Sequence, residues 1–567
     1  MPDAPQLTTH AFEVTVGPVA YYATLSEIVI DDGINKGYVS EAQRQAYLAL
    51  PIAADSDSLP NDSDDFVKAI LDQELVASGF DPFGLHNLGY LGKQVMLTLY
   101  IYSILLTFIA AFLRCYRLGK WSFWEDELFT IRHATDISKG GLQAIDNCHP
   151  LYYLTIIPVM RRFGVNEWSA RFPSACIGTI SVPILIFALH PIIGTFSAIL
   201  FGTLLAISPW HVYWSQNARF YTITFLLQFL ALLNLYQWTE TSHWQFLWLF
   251  LGLYALSVLA HETSAISLIV AMVYLAGVTI LATSAPAITT ITIAIGAVLL
   301  AAIYSTAVFL FVGGGYWKRK KMIRSHWKTH YSHRRSGPFR ILGGIFKYIG
   351  IATVCAALTL LASHFSHFSH FDIFILVLMS VPLALVTAGS LLAYSTTRYS
   401  FLSLAGYLLA AAQLTNELGS SVAWAGVGVG CILCATAIDE LSLYYLVQNG
   451  NRERWREVLM TLKPRIKASD RVLTTTPDLV NHYLERHVRW VTEFSLQMLD
   501  SLNGVNWFIL NDAVQSLPEE VSRWIDQHTT LVLNDEVHFH MKNWNVSVRR
   551  YEAKPTSVQD SSTHSPE

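Results

Sequence analysis

Charge is scarce in this chain. Only 14% of its 567 residues are Asp, Glu, Lys or Arg, against about 25% in ordinary globular proteins, and 52% are hydrophobic. That balance excludes a disordered or collagen-like chain and places the protein in a membrane. The formal net charge is -4, so no global excess of positive charge points to nucleic acid. Cysteine is sparse too: Cys115, Cys148, Cys176, Cys355, Cys431 and Cys434 are too scattered for a disulfide scaffold. An internal repeat of fixed period is lacking, which counts against a transporter built from two similar halves. No short basic region precedes an apolar core at Met1, so no signal peptide is expected and the first membrane segment is internal.

What the sequence does have is a series of long apolar runs. Residues 1–92 contain none of them, carry many more acids than bases, and read as an acidic soluble tail with a disordered stretch at DSDSLPNDSDD. The first run, QVMLTLYIYSILLTFIAAFL (94–113), has 20 residues, the length that crosses a hydrocarbon core of roughly 30 Å as a helix. Further spans are predicted at 169–189, 191–209, 220–238, 244–260, 264–283, 287–313, 341–363, 371–393, 399–414 and 421–446. Eleven spans in all are expected, and because lipid offers backbone groups no partners, they are helices. Long interruptions fall at 114–168 and 316–340. The first contains LYYLTIIPVM, which reads as a helix lying in the interface, and the second is strongly basic with interleaved aromatics.

After Asn451 the chain becomes water-soluble. RVLTTT (471–476), NWFILND (506–512), TLVLND (530–535) and VSVRRYE (546–552) alternate as strands with helical patterns at 477–487 and 517–528. The fold class is therefore mainly α: a polytopic helical membrane domain over 93–450 and a small α/β domain over 451–552, followed by a disordered tail at 553–567.

Polar groups gather where apolar runs end. WSFWEDELFT puts Glu125, Asp126 and Glu127 between aromatics suited to the headgroup level, and HPLYYL, SARFPSA, SPWHVYWSQNARFY, AHETSA and TTRYSF repeat the arrangement. A charged side chain within a span costs roughly 2.5–3.5 kcal/mol on insertion scales, so such groups face a cavity or the interface. Their recurrence predicts one polar site at the membrane edge. A carboxylate there would accept a proton from an attacking hydroxyl or bind a metal; a solvated acidic turn is the alternative for WEDE taken alone. The histidines of HFSHFSHF (364–371) read as an interfacial turn, and the sequon at Asn545 lies in the C-terminal domain.

In order and spacing, YRLGKWSFWEDELFT, HPLYYL, EWSARFPSACIGTISVPILIFAL and SPWHVYWSQNARFYTITFLL resemble the dolichyl-phosphate-mannose protein mannosyltransferase-like family of membrane glycosyltransferases, which includes the bacterial aminoarabinose transferases of lipid A. The resemblance is strong from about Tyr116 to Tyr236, weaker in the later spans, topological in the C-terminal domain, and does not cover residues 1–92. It implies a GT-C fold and transfer of a sugar from a polyprenyl-phosphate carrier to an acceptor hydroxyl, with inversion. Asp126 matches the family's catalytic base, with Glu127 beside it.

A departing lipid phosphate needs cations rather than a proton. Arg219, with Gln216 and Tyr221 as neighbours, and Arg398 of the TRY motif are the expected donor-phosphate groups; a snorkelling anchor is the alternative reading of both arginines. Arg171, His149 and His261 are expected to position donor or acceptor, against helix-start and interfacial alternatives, while Glu262 departs from the family pattern and has no assigned role. Loop 316–340 would close over the anionic donor. The displacement requires no cofactor and leaves room for a divalent metal; the expected partners are the polyprenyl-phosphate-linked sugar, an acceptor and membrane lipids.

The family places the site on the extracytoplasmic face, whereas the positive-inside rule would put the same Lys- and Arg-rich face in the cytosol. The binding of a lipid phosphate favours the family's orientation. A flippase or transporter remains the second functional class: it shares the amphipathic cavity and has no use for Asp126.

Overall fold

The computed structural model describes residues 9–16, 19–26, 90–141, 150–281, 285–308, 337–392, 395–511, 517–539 and 542–553. His149, Cys148 and most of the basic loop lie outside them. Within the N-terminal segment, β1 (Thr9–Val16) and β2 (Val19–Ser26) pair as an antiparallel hairpin.

The membrane domain begins with α1 (Tyr90–Cys115), followed by α2 (Glu125–Gly140) and α3 (Pro150–Phe163) in the first loop. Next come α4 (Glu167–Ile207), α5 (Pro209–Ser215), α6 (Tyr221–Thr241), α7 (Trp244–Ala260), α8 (Ser264–Leu281) and α9 (Ala285–Ala307). The remainder is α10 (Pro338–Ile349), α11 (Ile351–Ser363), α12 (His370–Leu392), a 3-10 turn (Thr397–Ser400), α13 (Ser403–Ser421) and α14 (Ala423–Leu446).

Two predicted spans, 169–189 and 191–209, are the legs of one 41-residue element, α4, broken at Gly194 (φ 75°, ψ 170°) rather than at Pro191. Glycine alone enters that backbone region without strain. The second leg folds back on the first, so that a Cβ at Gly202 would lie 2.4 Å from Ile186. The predicted span 341–363 is likewise not straight: α10 and α11 meet at 101° across Gly350, whose φ is 92°.

Among the described residues six helices are long and apolar enough to cross a membrane, or seven if that bent pair is one span. The other predicted spans are present as helices of lower hydropathy or shorter length. Gln228, Asn234, Gln237 and Glu240 dilute α6, Gln413, Asn416 and Glu417 dilute α13, and α7 has 17 residues.

A short 3-10 turn and α15 (Trp455–Leu462) lead into the C-terminal domain, which contains β3 (Arg471–Thr474), α16 (Pro477–Leu484), β4 (Arg489–Trp490), α17 (Leu496–Asp500), β5 (Val505–Leu510), α18 (Glu519–His528), β6 (Thr530–Phe539) and β7 (Lys542–Glu552). Its sheet runs β4-β3-β5-β7-β6, parallel through β4, β3 and β5 and antiparallel beyond. The four predicted strands and both helices are found. The two-residue β4 is too short to give an alternating pattern.

The three adjacent acids of WEDE form the first turn of α2, where the positive end of the helix dipole favours them. Successive residues there diverge by about 100°, so Asp126 and Glu127 face different surroundings. Glu127 points into the core and is 0% exposed, as is Arg171 of α4. Arg171 Nε and one Nη donate to the two Glu127 oxygens at 2.7 and 2.6 Å, and its other hydrogens reach the carbonyls of Leu118, Trp121 and Ser122. The Ala218 N–H also donates to Glu127, at 2.8 Å, and Arg452, which follows α14, stands 3.9 Å away. Burial pushes the Glu127 pKa up, but Arg171, Arg452 and that N–H outweigh it and hold the carboxyl below its ordinary range.

The C-terminal domain closes over this loop: Tyr483 accepts from the Phe123 N–H at 2.7 Å and donates to Glu167 at 2.9 Å, and Arg132 of α2 pairs with Asp478 at 2.5 Å. Gly450, at φ 63°, lets the linker pass Trp121, whose ring a Cβ would meet at 2.5 Å.

Glu127→Gln is expected to destabilise the detergent-solubilised protein by about 3–5 kcal/mol, because it strands a buried guanidinium. Measured by denaturant or thermal unfolding, the double variant Glu127→Leu/Arg171→Met costs less than the sum of the two single changes. The depressed pKa gives this pair a stabilising contribution that is complete above the ordinary glutamate pKa of about 4.3 and lost as pH falls through the native value. Gly450→Ala lowers the melting temperature through backbone strain of about 1–3 kcal/mol and the clash with Trp121.

Candidate active site

The ends of several helices meet at one rim of the bundle. Arg114, at the end of α1, is buried and donates to the carbonyls of Ala206 and Leu205 at 3.0 and 3.2 Å and to His211 Nδ1 at 2.9 Å. It caps the second leg of α4, satisfying helix-end carbonyls that otherwise lack partners. The sequence SPWHVYWSQNARFY then forms a short helix and a turn, because Ser208 caps α5 and Pro209 starts it.

Arg219 leaves that turn toward α2. Its Nη1 donates to the Asp126 carbonyl and to the Thr130 hydroxyl, both at 3.1 Å, while Nη2 lies 3.9 Å from the Asp126 carboxylate. Arg398 arrives from the 3-10 turn and donates to the same carboxylate oxygen, Oδ2, at 2.8 Å. All three side chains keep some exposure: 20% for Asp126, 14% for Arg219 and 19% for Arg398. Burial raises the Asp126 pKa, and Arg398 and then Arg219 outweigh it, holding the carboxyl below its usual range.

Aromatic rings hold the arginines in place. Arg219 lies over Phe220 at 4.5 Å, and Arg398 lies 5.7 Å from the Trp124 ring, whose indole N–H donates to Asn217 at 2.7 Å. His261 stacks on Phe220 with ring centroids 3.5 Å apart, and its Nδ1 accepts from the Thr263 backbone at 3.1 Å. Tyr221 is buried beside Trp214 at 3.9 Å; among the described residues its hydroxyl has no hydrogen-bond partner, and it feels the charges of Arg398, Arg219 and Asp126.

Asp126, Arg219, Arg398, Tyr221 and His261 thus lie together at this rim. Three expected site residues face elsewhere. Glu127 and Arg171 are enclosed with each other behind the rim. Gln216 is buried and ties helix ends together, donating to the carbonyls of Leu113, Arg114 and Tyr116 at 2.8–3.1 Å and accepting from Tyr444 at 2.8 Å. Each is saturated by partners within the protein, which leaves a phosphate nothing to bind. Arg452 was not singled out from the sequence, yet it joins the C-terminal domain to the site by donating to the Gln216 carbonyl at 2.8 Å. Its signal was an arginine just past the last apolar run.

Glu262 is exposed. The HFSHFSHF turn lies at the opposite end of the helices, where His364 bridges Asp372 at 2.7 Å and Glu417 at 3.1 Å. Among the described residues no group of three or more His, Cys, Asp and Glu side chains is arranged to hold a metal ion.

No family model matches the sequence, and no curated protein does. Among solved structures the chain is similar to ArnT from Cupriavidus metallidurans in the apo state, at 11% identity, a TM-score of 0.51, and coverage of 81% of this chain and 97% of that one. The same protein bound to undecaprenyl phosphate matches at 11% identity, 80% and 98% coverage and a TM-score of 0.44. The Archaeoglobus fulgidus oligosaccharyltransferase in complex with Zn and sulfate matches at 10% identity, 68% and 62% coverage and a TM-score of 0.44. The likeness to apo ArnT is one of fold, and this chain's fold is a polytopic helical membrane domain followed by a small C-terminal α/β domain.

Proposed function

We propose that the chain is a membrane glycosyltransferase that moves a sugar from a polyprenyl-phosphate-linked donor to an acceptor hydroxyl, with inversion and with Asp126 as the base. The observation that carries this reading is one partly exposed carboxylate sharing two partly exposed arginines at the rim of an apolar bundle. A snorkelling anchor would turn its guanidinium to the headgroups; Arg219 and Arg398 turn theirs to Asp126.

The donor is a phosphodiester with one negative charge. As the acceptor oxygen attacks the anomeric carbon, its proton passes to Asp126 and the electron pair of the breaking C–O bond goes to the phosphate, which departs as a monoester of higher charge. Arg219 and Arg398 are placed to receive that developing charge, so they stabilise the transition state more than the ground state. Tyr221 offers a further hydroxyl donor on the same side. No step requires a metal. In this reading the site opens on the extracytoplasmic face, and His261 borders the donor.

Before the donor binds, Arg398 suppresses the basicity of Asp126. A phosphate that draws Arg398 to itself returns the carboxylate toward its ordinary pKa, so donor binding readies the base.

Asp126→Asn is expected to lower transfer by about 10²- to 10⁴-fold while retained lipid, identified by mass spectrometry of the purified protein, still includes a polyprenyl-phosphate sugar. Normal turnover in this variant would overturn the assignment of the base, and lipid movement without transfer in the wild type would favour the flippase. The pH profiles provide a second check. The acid limb of kcat/KM, which reports free enzyme, should lie below the ordinary aspartate pKa of about 3.9, and the limb of kcat at higher pH. Coincident limbs would rule out the exchange of Arg398.

A further inference from the structure

The C-terminal domain contains a cavity of about 470 Å³, within the roughly 300–1,000 Å³ range of small-molecule sites. It lies between α18 and the outer strands and reaches Thr475 and Leu510, where β3 and β5 end. From β3 the chain turns aside to β4, and from β5 it goes the other way to β6 and β7. The crevice between the carboxyl ends of β3 and β5 is therefore a topological switch point, the place where open α/β sheets take their ligands.

The lining selects the chemistry. Its two charged groups, Asp526 and Arg549, pair at 2.7 Å and cancel, which removes the drive for a free anion or cation. The other polar groups are the hydroxyls of Thr475, Ser522 and Ser547 and the carboxamides of Asn534 and Asn545. Leu510, Leu517, Ile525 and Leu531 supply an apolar wall. Hydroxyls and carboxamides opposite aliphatic carbon complement a pyranose, which is ringed by hydroxyl groups and presents C–H bonds on its faces. Asn545 faces this cavity from within β7, opposite Glu536 of β6, and its sequon stands in a strand rather than an open loop.

The cavity is also wired to the rim. Asn511 donates its backbone N–H to the Thr475 hydroxyl and its carboxamide to Glu453 of the linker, both at 2.9 Å. Two residues beyond Thr475, α16 begins, and its Asp478 pairs with Arg132 on the helix that carries Asp126.

We propose that this cavity binds a neutral saccharide, the glycan part of the acceptor, and holds it against the domain that covers the catalytic loop. The acceptor role rests on the glycosyltransferase reading; saccharide binding does not.

The test is saturation-transfer NMR on the full chain in maltoside-free nanodiscs, with maltose, cellobiose, chitobiose and mannobiose as probes. At least one disaccharide should receive saturation. Binding should weaken about tenfold, one hydrogen bond's worth, in Asn545→Ala and in Ser522→Tyr, which fills the cavity from the exposed face of α18. Asp126→Asn should leave it unchanged. No transfer to any of the probes, transfer that both cavity variants leave intact, or transfer lost in Asp126→Asn would overturn the proposal. Disaccharide binding that the cavity variants abolish, in a protein that moves no sugar, would keep the saccharide site and refute its acceptor role together with the glycosyltransferase reading.

Discussion

The buried pair of Glu127 and Arg171 is the constraint on which the rest depends. A carboxylate and a guanidinium wholly removed from water are costly, and they persist because every strong donor of one meets an acceptor of the other or a backbone carbonyl. The pair fixes the first turn of α2 against the start of α4. Once Glu127 is fixed inward, the geometry of a helix leaves Asp126 no direction but the rim, where Arg219 and Arg398 wait.

The arginines divide into two populations by what surrounds them. Arg114, Arg171 and Arg452 are buried and donate mainly to backbone carbonyls, with Arg171 also gripping Glu127, so they act as fasteners. Arg219 and Arg398 are partly exposed, lean on aromatic rings, and share one carboxylate. The second kind keeps enough exposure to meet an incoming anion, and the first is shut away from one.

Much of this was legible in the sequence. Apolar runs of about 20 residues announce helices, and alternating strand and helix patterns announced the C-terminal sheet, because burial imposes those periods. The convergence of WEDE, SQNARFY and TTRY on one rim was readable from their shared position at the ends of apolar runs. The residues of WEDE alone do not say which acid faces the rim; the family resemblance points to Asp126, and the partner that turns Glu127 inward, Arg171, lies 44 residues away. Gln216 was misjudged for a similar reason, since three carbonyls at the end of α1 claim its amide and none is near in sequence. The fold-back of α4 rests on one glycine, whose tolerance of positive φ leaves no periodic trace.

The contacts between α15 and the first loop carry a topological consequence. Ser122 donates to Glu457 at 3.1 Å, and the Arg456 side chain donates to the Gly119 carbonyl at 3.2 Å. Two segments that touch through water-loving groups occupy the same compartment. The chain between them therefore traverses the bilayer an even number of times, whichever compartment that is, and each bent or doubled-back helix must be counted so as to preserve that parity.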